Sequence, residues 1–210
     1  PNIEFYTVRD NGMLVYDIQY TMDPFGDSPL ETQEVTVKGV VTASTKIGDL
    51  GYLYIQDETG SAWSGIWCVG IGLNQFYRNE EVEVTGVVEE YYGMTRINVT
   101  SANKTGNLGM VSATVLDPSD SASYANFGWE PYESMFIRYE QPNGKLHISQ
   151  TNLGFGDYAV SSSNTAALSR SGRVLAGRQS TTAYSSLDVQ LVTDTSYSSL
   201  DGEMNVMPIV

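Results

Sequence analysis

Chemistry in this 210-residue chain would have to be built from few reactive side chains, because it holds one histidine and one cysteine. His147 lies between Leu146 and Ile148 in an alternating pattern, so a Ser-His-Asp arrangement would have to rest on a strand histidine. A structural or exposed imidazole is the simpler reading. Zinc sites need several His or Cys ligands, and one of each does not supply them. Cys68, between Trp67 and Val69, reads as a buried thiol, and a lone cysteine excludes an intramolecular disulfide. No glycine-rich phosphate loop opens a helix, and neither HExxH nor GxSxG occurs. Glu80/Glu81 and Glu89/Glu90 could be imagined as acid and base, but charged pairs on a strand are usually solvated and discourage edge pairing. Asp23 and Asp27 lack the crowded oxygen pattern of a calcium loop. The expectation is a chain with no catalytic residues, no cofactor and no metal.

Binding is the other chemistry that side chains can offer. If Leu53 and Ile55 face a core, Tyr52 and Tyr54 face out, and Trp67 joins them if Ile66 and Cys68 point inward. These three rings are the candidates for stacking on a base or a sugar, with packing beneath the rest of the chain or in a subunit contact as the simpler reading. Charge weighs against nucleic acid: 25 acidic and 11 basic residues give a net charge of −14, and phosphate binding needs a local basic groove. The charge is also unevenly spread. Glu80, Glu81, Glu83, Glu89 and Glu90 cluster, whereas the stretch from Ser161 to Leu187 carries Arg170, Arg173 and Arg178 and no acid.

The elements that must position these residues are announced by a repeat. Val-Thr-Val-Lys-Gly-Val-Val (Val35 to Val41) returns as Val-Glu-Val-Thr-Gly-Val-Val (Val82 to Val88). At period two, three valines and the glycine of each copy share one face, while Thr36, Lys38, Glu83 and Thr85 take the other. A glycine inside a strand signals a sharp bend or a close backbone approach, so strands bent at Gly39 and Gly86 suggest a small closed barrel. Between the copies, Gly51 to Asp57 and Ser64 to Val69 read as a hairpin, and after the second copy Tyr92-Gly93 turns the chain into Met94 to Val99. Five strands in this order, with a connection between the third and fourth, match an OB-fold barrel, a five-stranded Greek-key fold.

Several stretches also resemble a known group of domains. Tyr16 to Thr21, Gly26 to Leu30, Val35 to Ala43, Tyr54 to Asp57, Trp63 to Ile66 and Glu89 to Thr95 are similar to OB-like domains of secreted, modular bacterial proteins. In some extracellular nucleases such a domain sits beside a separate catalytic domain. A fainter likeness, Glu130 to Ser134 with Gly154 to Tyr158, resembles the segment that follows in the same proteins. The resemblance implies the fold and a secreted setting, not an activity. The nucleases' catalytic domain has no counterpart in this sequence.

The expected architecture is all-β. Residues 1–30 form an N-terminal extension, 31–116 the barrel, and 117–210 a second, smaller β domain, for which a degraded OB-like barrel is one form. Ile3 and Phe5 lie on a strand pattern that could cover an open barrel end or be donated to a neighbouring copy. In the second half, Ser134 to Tyr139, Lys145 to Gln150, Asp157 to Ser161, Leu187 to Thr193 and Glu203 to Val210 read as strands. No stretch approaches the roughly 18 apolar residues of a membrane span, and the chain reads as mature, its signal peptide removed. The functional expectation is a non-catalytic, extracellular structural protein that associates with copies of itself into an assembly such as a fibre. Opposed patches, Glu80, Glu81 and Glu83 against Arg170, Arg173 and Arg178, would help to set its register. The alternative is an OB-fold module for single-stranded nucleic acid or glycan, using Tyr52, Tyr54 and Trp67.

Overall fold

The structure, a computed structural model, describes residues 12–44, 53–116, 130–140, 146–154, 157–161, 183–184, 186–191 and 204–208, with side chains described up to 138. The two copies of the valine repeat become β1 (Glu34–Ala43) and β4 (Glu80–Tyr91). They pair with each other, antiparallel, with Val35 opposite Gly86, Val37 opposite Val84 and Gly39 opposite Val82. The repeat is therefore one ladder made from two similar strands. Val35, Val37, Val41, Val82, Val84 and Val88 all enter the core, as the period of two requires. Each glycine is a point of close approach. A Cβ on Gly39 would lie 3.1 Å from Ile55, and one on Gly86 would collide with the carbonyl oxygen of Asn98 and lie 2.8 Å from Val99 Cα. Beside Gly86 the β4 ladder shifts register, which is where the strand bends around the barrel.

β2 (Leu53–Gln56), β3 (Gly65–Gly70) and β5 (Met94–Leu108) complete a closed barrel of order β1-β2-β3-β5-β4. The β3–β5 ladder is parallel and the other four are antiparallel, which is the strand arrangement of an OB fold. Leu53, Ile55, Ile66, Cys68 and Ile97 fill the interior from β2, β3 and β5. Burying each large aliphatic side chain contributes about 1.5–3 kcal/mol. Cys68 is fully enclosed, and burial raises its thiol pKa, as an inert core residue requires.

The extension belongs to this barrel over its described residues. Met13 bridges in parallel to Val37, and α1 (Val15–Gln19) sends Val15 and Ile18 into the core. A helix of five residues is too short to stand alone. Asp57, at the end of β2, anchors it by accepting hydrogen bonds from the N–H groups of Val15 and Tyr16, both at 3.0 Å. In the β3–β4 connection a 3-10 turn over Leu73–Gln75 adds Leu73 and Phe76 to the core.

The second half is one sheet of seven strands in its described residues. β6 (Thr114–Leu116), β7 (Phe136–Glu140), β8 (Leu146–Gly154), β9 (Asp157–Ser161), β10 (Ala183–Tyr184), β11 (Ser186–Leu191) and β12 (Met204–Pro208) lie in the order β10-β8-β9-β12-β11-β7-β6. Among the described residues this sheet is not closed into a barrel, and β10 and β6 stand at its ends. Its β6 edge pairs in parallel with β7. His147 sits in β8 opposite Ser161 and Ala183. Residues 130–138 seal this half against the barrel. Trp63 donates its N–H to Pro131 at 2.5 Å, and Gln56 Oε1 accepts from the N–H of Phe136 at 2.9 Å. The buried Glu133 carboxylate takes hydrogen bonds from Thr95 N–H and, at 3.4 Å, from Gln19 Nε2. No helix among the described residues is long and apolar enough to cross a membrane.

Candidate functional site

Tyr54 and Trp67 are opposite each other in the β2–β3 ladder, on the outer side of the barrel, as alternation requires. They are not open to ligand. Tyr54 is 1% and Trp67 7% exposed, packed with Ala43 and Met94 in a second apolar layer, with Val69 against it. They are packing residues, the simpler of the two readings of their sequence. Alternation identified their face, while what covers that face lies outside the period of any one strand. Tyr52, Ile3, Phe5, Arg170, Arg173 and Arg178 lie outside the described residues.

The acidic candidates on β4 meet partners on their own sheet. Glu80 accepts from Lys104 at 2.6 Å and from the N–H of Tyr77 at 2.8 Å, and Glu83 faces Lys38 at 3.7 Å across the β1–β4 ladder. Glu81 accepts from Thr105 and Asn107, which hold its carboxyl below the usual range. Surface ion pairs of this kind add little stability. They do pin the side chains to β4 and β5.

Neighbouring residues in the ladders extend the Tyr54–Trp67 row across β5 to β4. Trp67 is in register with Arg96, and Arg96 with Glu89. Arg96 donates through Nε at 3.0 Å and Nη2 at 2.9 Å to Glu89 Oε2, while Asn98 Nδ2 donates to Glu89 Oε1 at 2.9 Å. The Asn98 and Arg96 hydrogen bonds lower the pKa of Glu89, so it stays ionised. The guanidinium lies 3.8 Å from the ring centroid of Tyr91 and 5.2 Å from that of Trp67. Tyr91 in turn meets the ring of Tyr92 edge-on, centroids 4.6 Å apart. Tyr91 and Tyr92 are 42% and 72% exposed. They sit at the β4–β5 turn, where Tyr92 (φ +54) and Gly93 (φ +79) are both left-handed, as a two-residue type I′ hairpin demands. The turn was legible from Tyr92-Gly93. The signal missed was the pair of adjacent tyrosines on a turn that prefers Asn at its first position.

A second polar group lies inside. Glu90, read as half of a solvated pair, turns inward: it follows Val88 at period two and emerges past the rim of the core. Its carboxylate accepts from Ser28 N–H at 2.9 Å and Thr95 Oγ1 at 2.7 Å, and burial pushes its pKa up. Glu130 is 8% exposed and packs against Gly26, where a Cβ would lie 2.5 Å from the carboxyl carbon. Burial first, then the charges of Glu90 and Asp27, push Glu130 up to about 8. Among the described residues no group of His, Cys, Asp or Glu is arranged to hold a metal ion.

No protein-family model matches the sequence, and no curated protein is significantly similar to it. Among solved structures, asparaginyl-tRNA synthetase from Pyrococcus horikoshii is similar over 39% of this chain and 21% of its own, at 18% identity and a TM-score of 0.30. A protein described as an aspartyl-tRNA synthetase of Leishmania major Friedlin is similar over 53% and 24%, at 14% identity and 0.35. The OBody AM1L10, solved bound to hen egg-white lysozyme, is similar over 50% of this chain and all of its own, at 17% identity and 0.34. This chain thus spans about a fifth to a quarter of those synthetases. The OB-fold assignment rests on the strand order and the parallel β3–β5 ladder.

Proposed function

We propose that this chain is a non-catalytic, secreted structural protein that joins copies of itself into an extracellular assembly. The observation that carries this reading is the edge of β5. The β3–β5 ladder ends at Val99, yet β5 runs on to Leu108, and among the described residues its Ser101–Leu108 segment pairs with β4 alone. A strand edge with its hydrogen-bonding groups turned outward can accept a strand from another chain. Apolar residues stand at its end: Leu108 is 79% and Met110 77% exposed, with Tyr77 nearby at 46%. Main-chain pairing supplies the direction of such a contact and these side chains its apolar area. Lys38, Arg96 and Lys104 each face a carboxylate, which argues against nucleic acid as the partner.

The test is the size of the intact protein across concentration, by light scattering with negative-stain microscopy of the same samples. The intact chain should form oligomers or fibres, and the double variant Leu108→Asp, Met110→Asp should shift it to monomer with its circular dichroism unchanged. Deleting residues 1–11 asks separately whether the donated strand is the N-terminal one. A monomer at every concentration would refute the assembly reading.

A further inference from the structure

We infer that Glu130 is a proton-operated latch: residues 130–138 stay closed on the barrel while its carboxyl is neutral, and its ionisation opens that junction while the barrel stays folded. The inference concerns a contact within the chain and is independent of self-association.

Three segments bring carboxyls together at the junction. Glu130 opens the 3-10 turn Glu130–Tyr132, is 8% exposed, and packs on Gly26 in the N-terminal extension. Two residues on, Ser28 donates its N–H to Glu90 at the end of β4. The fully buried Thr95 links Glu90 to Glu133, donating its Oγ1 to the first and its N–H to the second. Among the described residues the charged groups around Glu130 are acidic: Asp27 and, beyond it, Glu31 on the extension, Glu90 on β4, and Glu133 on its own segment. No cation among those residues is paired with Glu90 or Glu130.

Hydrogen bonding separates these carboxyls. Glu90 accepts from Ser28 and Thr95, and Glu133 from Thr95 and Gln19, whereas no donor among the described residues reaches the Glu130 side chain. A buried carboxylate without donors is far costlier than a buried carboxylic acid. Burial first, then the charges of Glu90 and Asp27, accordingly hold Glu130 at about 8. Opening returns it to solvent and to its ordinary value of 4.5. The open form thus sheds its proton first, so the opening equilibrium climbs by up to about tenfold per pH unit between those two values and levels off above them.

The backbone at the same junction is poised to yield. Trp63 (φ +67) and Ser134 (φ +55) are both left-handed, which costs a non-glycine residue steric energy and persists only where the surroundings enforce it. They lie at one seam: Trp63 donates its N–H to Pro131, and a Cβ on Gly65 would collide with the Ser134 carbonyl. Opening releases that strain, whereas the barrel keeps its own closed circuit of ladders, to which none of these junction bonds belongs.

Amide hydrogen exchange of the intact chain beside Glu130→Gln, at about pH 5 and about pH 8.5, tests the latch. The quantity read is the ratio of the two proteins' rates at each pH, which cancels the intrinsic pH dependence of exchange. At the junction amides of Trp63, Met135 and Phe136 that ratio should rise at least about tenfold from the lower pH to the higher, with the intact chain the faster. Across the β1–β4 ladder it should stay constant. If Glu130→Gln does not fold, Glu130→Met, of similar length and with nothing to ionise, takes its place. A constant ratio at the junction would overturn the proposal. So would an equal rise in the β1–β4 ladder, which is unfolding of the whole and not the opening of a latch.

Discussion

The Glu130 carboxyl holds its proton far more tightly than a solvated one. Its ordinary value is 4.5 and its folded value about 8, so the native state keeps a proton that the unfolded chain releases between those limits. The stability linked to this group is therefore fully present below about pH 4.5 and is lost as pH rises through about 8. Glu90 shifts in the same direction. The melting temperature should fall as pH is raised from 5 to 9, and Glu130→Gln, which cannot ionise, should flatten that slope. A slope equally steep in the variant would rule out Glu130 as its source. Gly26→Ala tests the same contact sterically, because its Cβ meets the Glu130 carboxyl and its φ of +86 disfavours any side chain. Loss of about 2 kcal/mol or more in denaturant unfolding is expected. These residues show the limits of reading by period. Glu89 and Glu90 look alike in sequence, yet one faces out to Arg96 and the other in to Ser28. Their difference depends on Gly26 to Ser28 and on Glu130, which lie far away along the chain.

Among elements, the valine repeat was the most legible, since the type, spacing and glycine of each copy are local properties. Its partner was not: that the copies pair with each other follows from barrel closure. The glycine bend makes a sharp expectation. Gly86→Ala would drive a Cβ into the β5 backbone at Asn98, and destabilisation of about 1–3 kcal/mol is expected, read as a lower denaturant midpoint. The small helix α1 was less legible, because five residues give too short a pattern to distinguish a helical turn from an extended piece. Its position depends on Asp57, 42 residues beyond Val15. Asp57→Ala leaves two N–H groups at the start of α1 without that acceptor and should cost about 2 kcal/mol. Amide exchange should rise first at Val15 and Tyr16. The strand order of the second sheet was beyond sequence reading altogether, since β12 lies between β9 and β11 and β7 pairs with β11.

At the scale of the molecule, an acidic OB barrel is joined through residues 130–138 to a seven-stranded sheet. The barrel face on which this fold usually binds ligands is filled by its own Tyr54 and Trp67, while Leu108 and Met110, at the end of β5, are among its exposed apolar residues. The proposed self-association rests on the β5 edge. Sedimentation velocity on the intact protein, beside the Leu108→Asp, Met110→Asp variant, tests it most directly. Concentration-dependent growth of species larger than a monomer is expected in the first sample and a single monomeric boundary in the second. Identical behaviour of the two would contradict it.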